Sequence, residues 1–185
     1  MIHIRNAQLE DCPGLARVQV DSYRTAYASL FPESYLAQFT YEEQEQDWRD
    51  WVATHPDDLL LVAGSDDKVS GYLLARAQPD IYPGYDAEIL AMHVRQAEQG
   101  RGIGSQLLKA AVKALEGGGC RSVMLWTLQD NPVCRWYERL GGKVLGEKRN
   151  LVEDWEIVEI AYGWETISSL FPGSASGPAG VRDPD

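Results

Sequence analysis

The sequence predicts a mixed α/β domain in which two or three meandering strands precede a strand–helix–strand–helix–strand core. Short apolar or alternating runs bounded by Gly, Pro and Asp predict the strands. Apolar residues that recur at intervals of three and four predict the helices. The chain has 185 residues, of which 44% are hydrophobic. That length suits one sizeable core and leaves little material for a second domain.

The chain is expected to begin with a strand and a helix. Ile2 and Ile4 alternate with polar neighbours in "MIHIRNA", which predicts a strand. Apolar residues at roughly helical spacing follow over 9–27 and predict the first helix. Asp11 stands ahead of Pro13, so it is the candidate N-cap of that helix.

Two further helices are predicted before the main run of strands. The segment "PESYLAQF" predicts a short helix that starts at Pro32. The segment over 41–55, "YEEQEQDWRDWVATH", is acidic and amphipathic. We expect that helix to bury Trp48, Trp51 or Val52.

The middle of the chain predicts strands with one loop. The runs over 59–64 and 68–78 are apolar, and "SDDK" between them is a hairpin signal. Proline, glycine and aspartate in "PDIYPGYD", over 79–86, predict a loop. The segment "AEILAMHVR", over 87–95, predicts the next strand.

The C-terminal part predicts the remaining core elements. A helix over 102–119 has a regular apolar stripe and ends at a run of glycines. A strand over 121–128 follows, and then a helix over 131–142 with Asn131 as its cap. The predicted closing strands are 143–149 and 155–165. We expect one domain over 1–171 and a disordered tail over 172–185, where small residues and proline dominate.

Composition limits the partners and the location. The net charge of −11 makes the chain a poor candidate for binding nucleic acid. The N-terminus lacks the apolar core of a signal peptide, and the longest apolar run, at 59–63, is too short to span a bilayer. Three cysteines give neither a disulfide framework nor a CxxC metal pair. We therefore expect a cytoplasmic protein with no membrane partner and no metal.

A glycine-rich segment precedes the helix over 102–119. In "EQGRGIGSQLLKAAVKAL" the glycines allow close backbone approach, and the first helical turn offers unpaired N–H groups to an anion. The segment is not a dinucleotide loop, since Ser105 and Leu107 stand where the third glycine of G-x-G-x-x-G would be. The G-K-[ST] triplet of a P-loop does not occur here either. A plain strand-to-helix turn is the alternative to a phosphate site.

Two sequence blocks resemble the GNAT superfamily of acyl-CoA-dependent N-acetyltransferases. The first is Gln99-x-x-Gly102-x-Gly104, which is similar to the family's coenzyme A pyrophosphate signature. The second, "NPVCRWYERLGGKVLGE", resembles the family block in which an asparagine opens a helix and a tyrosine follows six residues on. Gly142 stands where the family usually has an aromatic residue. The resemblance covers roughly 2–165 and implies a mixed, mostly antiparallel central sheet of six to seven strands flanked by helices.

The activity implied by this resemblance is transfer of an acetyl group from acetyl-CoA to a primary amine of a small molecule or peptide, by direct attack. The strand "AEILAMHV" resembles the family strand whose edge binds the pantetheine arm. The resemblance assigns coenzyme A binding to Met92, His93, Val94, Gln99, Gly100, Arg101, Gly102, Ile103, Gly104, Ser105, Asn131 and Tyr137.

The same resemblance implies candidates for proton transfer. Tyr137 is the expected general acid for the coenzyme A sulfur, with a buried core tyrosine as the alternative. Glu88 is the expected base, because the family often carries a carboxylate on that strand. His93 is its competitor, and the third alternative is an enzyme that takes neutral amine from solution and uses no side chain as base. Asn131 is expected to contact coenzyme A, to cap its helix, or both.

Other functions remain open from sequence. A non-catalytic acyl-CoA-binding regulatory module would use the same loop without turnover. A partner subunit that acetylates protein N-termini, those of ribosomal proteins included, would need an open groove beside the early helices. The sequence leaves the acceptor and the acyl length undetermined. A homodimer is possible.

Overall fold

A seven-stranded sheet forms the centre of the part of the chain described by the computed structural model, residues 2–65 and 68–171. Its strands are β1 (His3–Asn6), β2 (Leu59–Ser65), β3 (Lys68–Tyr82), β4 (Tyr85–Val94), β5 (Val123–Leu128), β6 (Lys143–Val152) and β7 (Trp155–Trp164). They lie in the order β1-β2-β3-β4-β5-β7-β6. Neighbouring strands are antiparallel except β4 and β5, which are parallel. The predicted mixed, mostly antiparallel sheet is confirmed.

Helices cover both faces of this sheet. They are α1 (Cys12–Ala26), α2 (Glu33–Leu36), α3 (Tyr41–Thr54), α4 (Ile103–Gly117) and α5 (Cys134–Arg139). One core lies under α4 and α5 and is built on buried residues such as Leu73, Leu107 and Leu125. A second core lies under α1 and α3, where Trp48 packs edge-on against Tyr72. None of the helices in the described residues is long and apolar enough to cross a membrane.

The parallel pair β4–β5 separates soon after it forms. Pairing joins Glu88 to Met124 and Ile89 to Leu125. On its other side, β4 pairs with β3 through an irregularity at Leu90, because Leu74 faces Ala91 while Ala75 faces Ile89. Such a bulge bends a strand and increases its local twist. The C-terminal half of β4 therefore has an open edge toward β5.

The prediction of a loop over 79–86 is wrong. These residues extend β3 and β4 into a hairpin whose turn is Pro83–Gly84, with Gly84 at φ 82°. Tyr82 pairs with Tyr85, and their rings lie 6.0 Å apart. Trp126 lies 6.2 Å from Tyr82. Aromatic packing from a distant strand thus holds a segment in strand form although its local composition predicts a loop.

Asp11 does not cap α1 with its side chain. Its carboxylate instead binds the Arg5 guanidinium at 2.6 and 2.8 Å and accepts the Gln8 N–H. The Arg5 hydrogen bonds are the largest cause of a lowered Asp11 pKa. Asp11 therefore ties the first helical turn to β1.

The predicted helix over 131–142 is shorter in the structure, where α5 is Cys134–Arg139. Asn131 nevertheless accepts the Val133 N–H at 3.0 Å through Oδ1, and so closes the turn that leads into α5. The tail expected over 172–185 lies outside the described residues.

Candidate active site

Two adjoining cavities run from the gap between β4 and β5 to the N-terminus of α4. The first has a volume of about 340 Å³ and lies against α1, β4 and β5. The second, of about 770 Å³, continues over the glycine loop and α5. Both are lined by Ala26, Met92, Val94, Gln99, Asn131 and Val133. The predicted strand, loop and asparagine residues thus border one continuous cleft.

The glycine loop leaves the start of α4 open to this cleft. Gly100 and Gly102 have φ values of 73° and 78°, which disfavour other residue types. Gly102 is the N-cap and provides no side-chain cap. A Cβ placed on Gly100 would meet nothing within 4 Å, and one on Gly102 would meet only Gln106 Nε2 at 3.9 Å. Space for an anion therefore adjoins first-turn N–H groups that have no intrahelical partners.

Two predicted loop residues have contacts that the sequence did not indicate. Gln99 Nε2 donates to the Val94 carbonyl at 3.0 Å, which fastens the loop to the end of β4. Arg101 is 64% exposed at its side chain and pairs with Glu98 at 3.4 Å. Arg101 is not among the residues that line the two cavities.

A different arginine lines the second cavity, and sequence reasoning missed it. Arg139 lies there together with Val133 and Trp136. Their i, i+3 spacing places all three on one face of the segment that ends in α5. That spacing is the sequence signal that would have found them.

Tyr137 reaches the inner end of the cleft. It is 6% exposed and lines the first cavity. Its ring contacts those of Trp136, Tyr162 and Trp164, at centroid distances of 5.3, 5.8 and 6.2 Å. Burial raises the pKa of the phenol well above its usual value, so the hydroxyl stays protonated at neutral pH.

The two base candidates occupy different surroundings. His93 lines the first cavity, where its ring lies 5.4 Å from that of Tyr72 and 5.6 Å from that of Tyr23. Burial lowers the pKa of His93 to about 4. Glu88 lies on β4 between Arg76 and Met124, outside the lining of both cavities. Burial raises the pKa of Glu88, against the opposing charges of Lys148 and Arg76.

Five aromatic residues at the C-terminal end of α1, in the β3–β4 hairpin and on β7 divide into two groups by position. Tyr23 and Tyr27 line the first cavity. Tyr82 and Tyr85 pack in the β3–β4 hairpin, and Trp155 is half exposed on β7. Sequence reasoning did not identify Trp126 and Glu159, which also line the first cavity.

The described cysteines are buried and free. The Cys134 thiol donates hydrogen bonds to the Leu128 and Gln129 carbonyl oxygens, with sulfur–oxygen distances of 3.4 and 3.6 Å. Burial raises the pKa of this thiol, which lowers its thiolate fraction at neutral pH. These properties disfavour an acyl-cysteine intermediate and agree with direct transfer.

An open strand edge, an uncapped helix N-terminus and a buried phenol lie on one cleft, an arrangement that suits an acyl thioester with a phosphate-bearing carrier. Residues 20–142 match the family model described as Acetyltransferase (GNAT) family. The chain belongs to this family and is an acetyl-CoA-dependent acyltransferase.

Proteins that resemble this chain in sequence or in structure are named acetyltransferases. The uncharacterized N-acetyltransferase YuaI of Bacillus subtilis is 28% identical over 172 residues, which are 92% of this chain and 96% of that protein. The PaiA N-acetyltransferase of Thermoplasma acidophilum, solved with coenzyme A, has a TM-score of 0.66 at 21% identity and covers 86% of this chain and 98% of its own. YncA of Salmonella typhimurium, solved with acetyl-CoA, has a TM-score of 0.65 at 15% identity, covering 89% and 93%. The two structures are similar to this chain in fold.

Proposed function

We propose that this protein transfers an acetyl group from acetyl-CoA to a primary amine of a small molecule by direct attack. The observation that carries the proposal is the continuous cleft, which joins the glycine loop to the Tyr137 phenol along the open edge of β4. Acetyl-CoA carries its phosphates far from its reactive thioester. A continuous cleft lets the protein anchor the phosphate end and so position the thioester.

The residues present fit coenzyme A in their chemistry. We assign its pyrophosphate to the first-turn N–H groups of α4 and to Arg139, which lines the same cavity. We assign its pantetheine arm to the open edge of β4 over Met92–Val94. Acetyl-CoA supplies the activated acetyl group when it is bound. Backbone N–H groups on this edge can polarise the thioester carbonyl.

The proposed reaction forms one C–N bond and breaks one C–S bond. The neutral amine attacks the thioester carbon, and the electron pair of the C–S bond leaves with sulfur. Tyr137, whose phenol is protonated at neutral pH, then donates its proton to the thiolate. The acylated nitrogen loses its second proton to solvent, and the Tyr137 phenolate recovers a proton from solvent, so the proton count balances. Before the attack, the ammonium form of the amine must lose a proton. We propose that Glu88 accepts this proton through water. His93 is a weak base for this step, since its pKa is about 4.

One contact favours a small acceptor over a peptide. Gln38 Nε2 donates to Glu153 Oε1 at 2.8 Å, and so joins the segment after α2 to the turn between β6 and β7. A bound peptide would need an open groove between the early helices and these closing strands. The contact lies across that groove.

The test of the function is release of free coenzyme A from acetyl-CoA in the presence of a panel of primary amines. We expect amine-dependent release, with acetylated amine formed in equal amount. Acetyl-CoA that raises the melting temperature without any turnover would instead favour the regulatory module. Both functions would be contradicted if acetyl-CoA neither raised the melting temperature of the chain nor was consumed as a substrate.

Glu88→Gln tests the proposed base. Activity that depends on Glu88 should fall as the pH drops through its raised pKa, because the protonated carboxyl cannot accept a proton. In the variant, the acidic limb of the kcat/KM profile should move to higher pH, toward the pKa of the amine itself. The measurement is a pH series with one acceptor held fixed.

His93→Gln is the matched comparison for this series. We expect its acidic limb to stay where it is in the wild type. A shift found only in the histidine variant would transfer the role to His93. If neither profile moves, the enzyme takes neutral amine from solution and Glu88 is not the base.

A further inference from the structure

Among the residues that the structure describes, a single carboxylate lines the first cavity, that of Glu159 on β7. No lysine or arginine side chain lines this cavity within the described residues. His93 also borders it but is neutral at pH 7, because burial lowers its pKa to about 4. Glu159 is therefore the acidic side chain of this cavity wall.

The Glu159 carboxylate is held in place by the neighbouring strand β6. Asn150 Nδ2 donates to Glu159 Oε2 at 2.6 Å. Lys148, which faces Glu159 in the strand register, places Nζ 3.3 Å from the same oxygen. Two contacts from an adjacent strand orient this side chain before any acceptor binds.

The Lys148 ammonium also lies 4.3 Å from the centroid of the Trp126 ring. Trp126 and Glu159 both line the cavity. The free protein thus already holds a primary ammonium on a carboxylate and an indole face, which are two favourable partners for such a cation. Lys148 is 42% exposed at its side chain, so its ammonium can move into solvent when an acceptor ammonium binds Glu159.

Glu159 shares a cavity with Tyr27 and with Tyr137, the proposed acid. All three side chains line the first cavity. An acceptor bound at Glu159 therefore lies in the same cavity as the phenol assigned to the sulfur.

We propose that Glu159 is the residue that selects the acceptor, by binding its ammonium group from the cavity side, and that Lys148, which lies outside the cavity lining, competes for the same carboxylate in the free enzyme. The acceptor class is a small aliphatic amine with net positive charge and without a carboxylate. This inference rests on the proposed acetyl transfer to a primary amine.

Two matched probes test the assignment, 1,4-diaminobutane and 4-aminobutanoate, which share a primary amine and a four-carbon chain. We expect the wild type to prefer the diamine in kcat/KM. Glu159→Gln should raise KM for the diamine about tenfold or more, with kcat changed less than about threefold, because it removes ground-state binding. The preference over 4-aminobutanoate should largely disappear.

Lys148→Met gives the opposite expectation. Removing the competing ammonium should lower KM for 1,4-diaminobutane several-fold, since the acceptor no longer displaces a resident cation. Glu156→Gln is the control, because Glu156 lies on the same strand but is exposed and paired with Arg149 at 2.9 Å. Its KM values should match the wild type. Glu159→Asp retains the charge and covers the case in which Glu159→Gln fails to fold.

The outcomes separate this inference from the proposed function. If no amine is acetylated, the proposed function fails, and calorimetric titration of 1,4-diaminobutane into the wild type and Glu159→Gln still tests the site. If amines are acetylated but Glu159→Gln keeps the wild-type KM for the diamine, the inference is wrong. An equal rise in KM for acetyl-CoA would also overturn it, because the change would then affect the whole cleft.

Discussion

Tyr137→Phe is expected to lower kcat by about 100-fold or more, the usual size of a general-acid contribution. The variant removes one hydroxyl and keeps the ring that packs on Trp136, Tyr162 and Trp164. The Kd for coenzyme A should therefore change less than about threefold. Steady-state rates with one amine, together with calorimetric titration of coenzyme A, measure the two quantities.

Tyr82→Phe is the matched control, since Tyr82 lies in the β3–β4 hairpin outside the lining of both cavities. It should retain wild-type kcat. An unchanged kcat for Tyr137→Phe has two explanations, slow product release or no role in proton transfer. A single-turnover measurement separates them, because it reports the chemical step alone. A wild-type single-turnover rate would mean that Tyr137 is a packing residue.

Gly104→Val is expected to weaken coenzyme A binding by about tenfold to 100-fold, the equivalent of one or two charge-assisted hydrogen bonds. Gly104 lies in the first turn of α4, and its added Cβ would meet only Val94 Cγ2, at 4.0 Å. The substitution therefore places a side chain in the cleft with little strain in the free protein. The measurement is the Kd for coenzyme A and the rise in melting temperature that it causes.

Gly104→Ala refines this test. Alanine favours helix over glycine by about 0.5–1 kcal/mol, so the free variant should be at least as stable as the wild type. Weaker coenzyme A binding in a chain of equal or greater stability would then reflect lost space alone. Gly117→Ala, at the far end of α4 in open space, is the control and should bind normally. Full binding by both Gly104 variants would contradict the assignment of the loop.

The strand and helix pattern of this protein follows largely from local sequence. Alternating or continuous apolar runs predicted the strands, and the apolar stripe from Ile103 to Leu115 predicted α4. Burial of this stripe in the core under α4 confirms that helix prediction. The segment over 79–86 was predicted wrongly, because ring contacts between Tyr82, Tyr85 and Trp126 outweigh its proline and glycine content.

The site residues also divide into those that the sequence identifies and those that only the structure identifies. By itself the sequence determined the glycine loop and the position of Tyr137, because each belongs to a contiguous motif. It could not identify Glu159 or the role of Lys148, since both lie on closing strands without a motif. Side-chain alternation tells which face of a strand a residue occupies, but not which strand lies beside it.

Only the tertiary structure decided where the cleft opens. The sheet order places β7 beside β5, and the bulge at Leu90 accompanies the separation of β4 from β5. These two features bring Glu159 to the same cavity as Tyr137, although the residues belong to different elements. The physical reason is that strand pairing and register arise from packing over the whole sheet, whereas the loop and helix start depend on neighbouring residues along the chain.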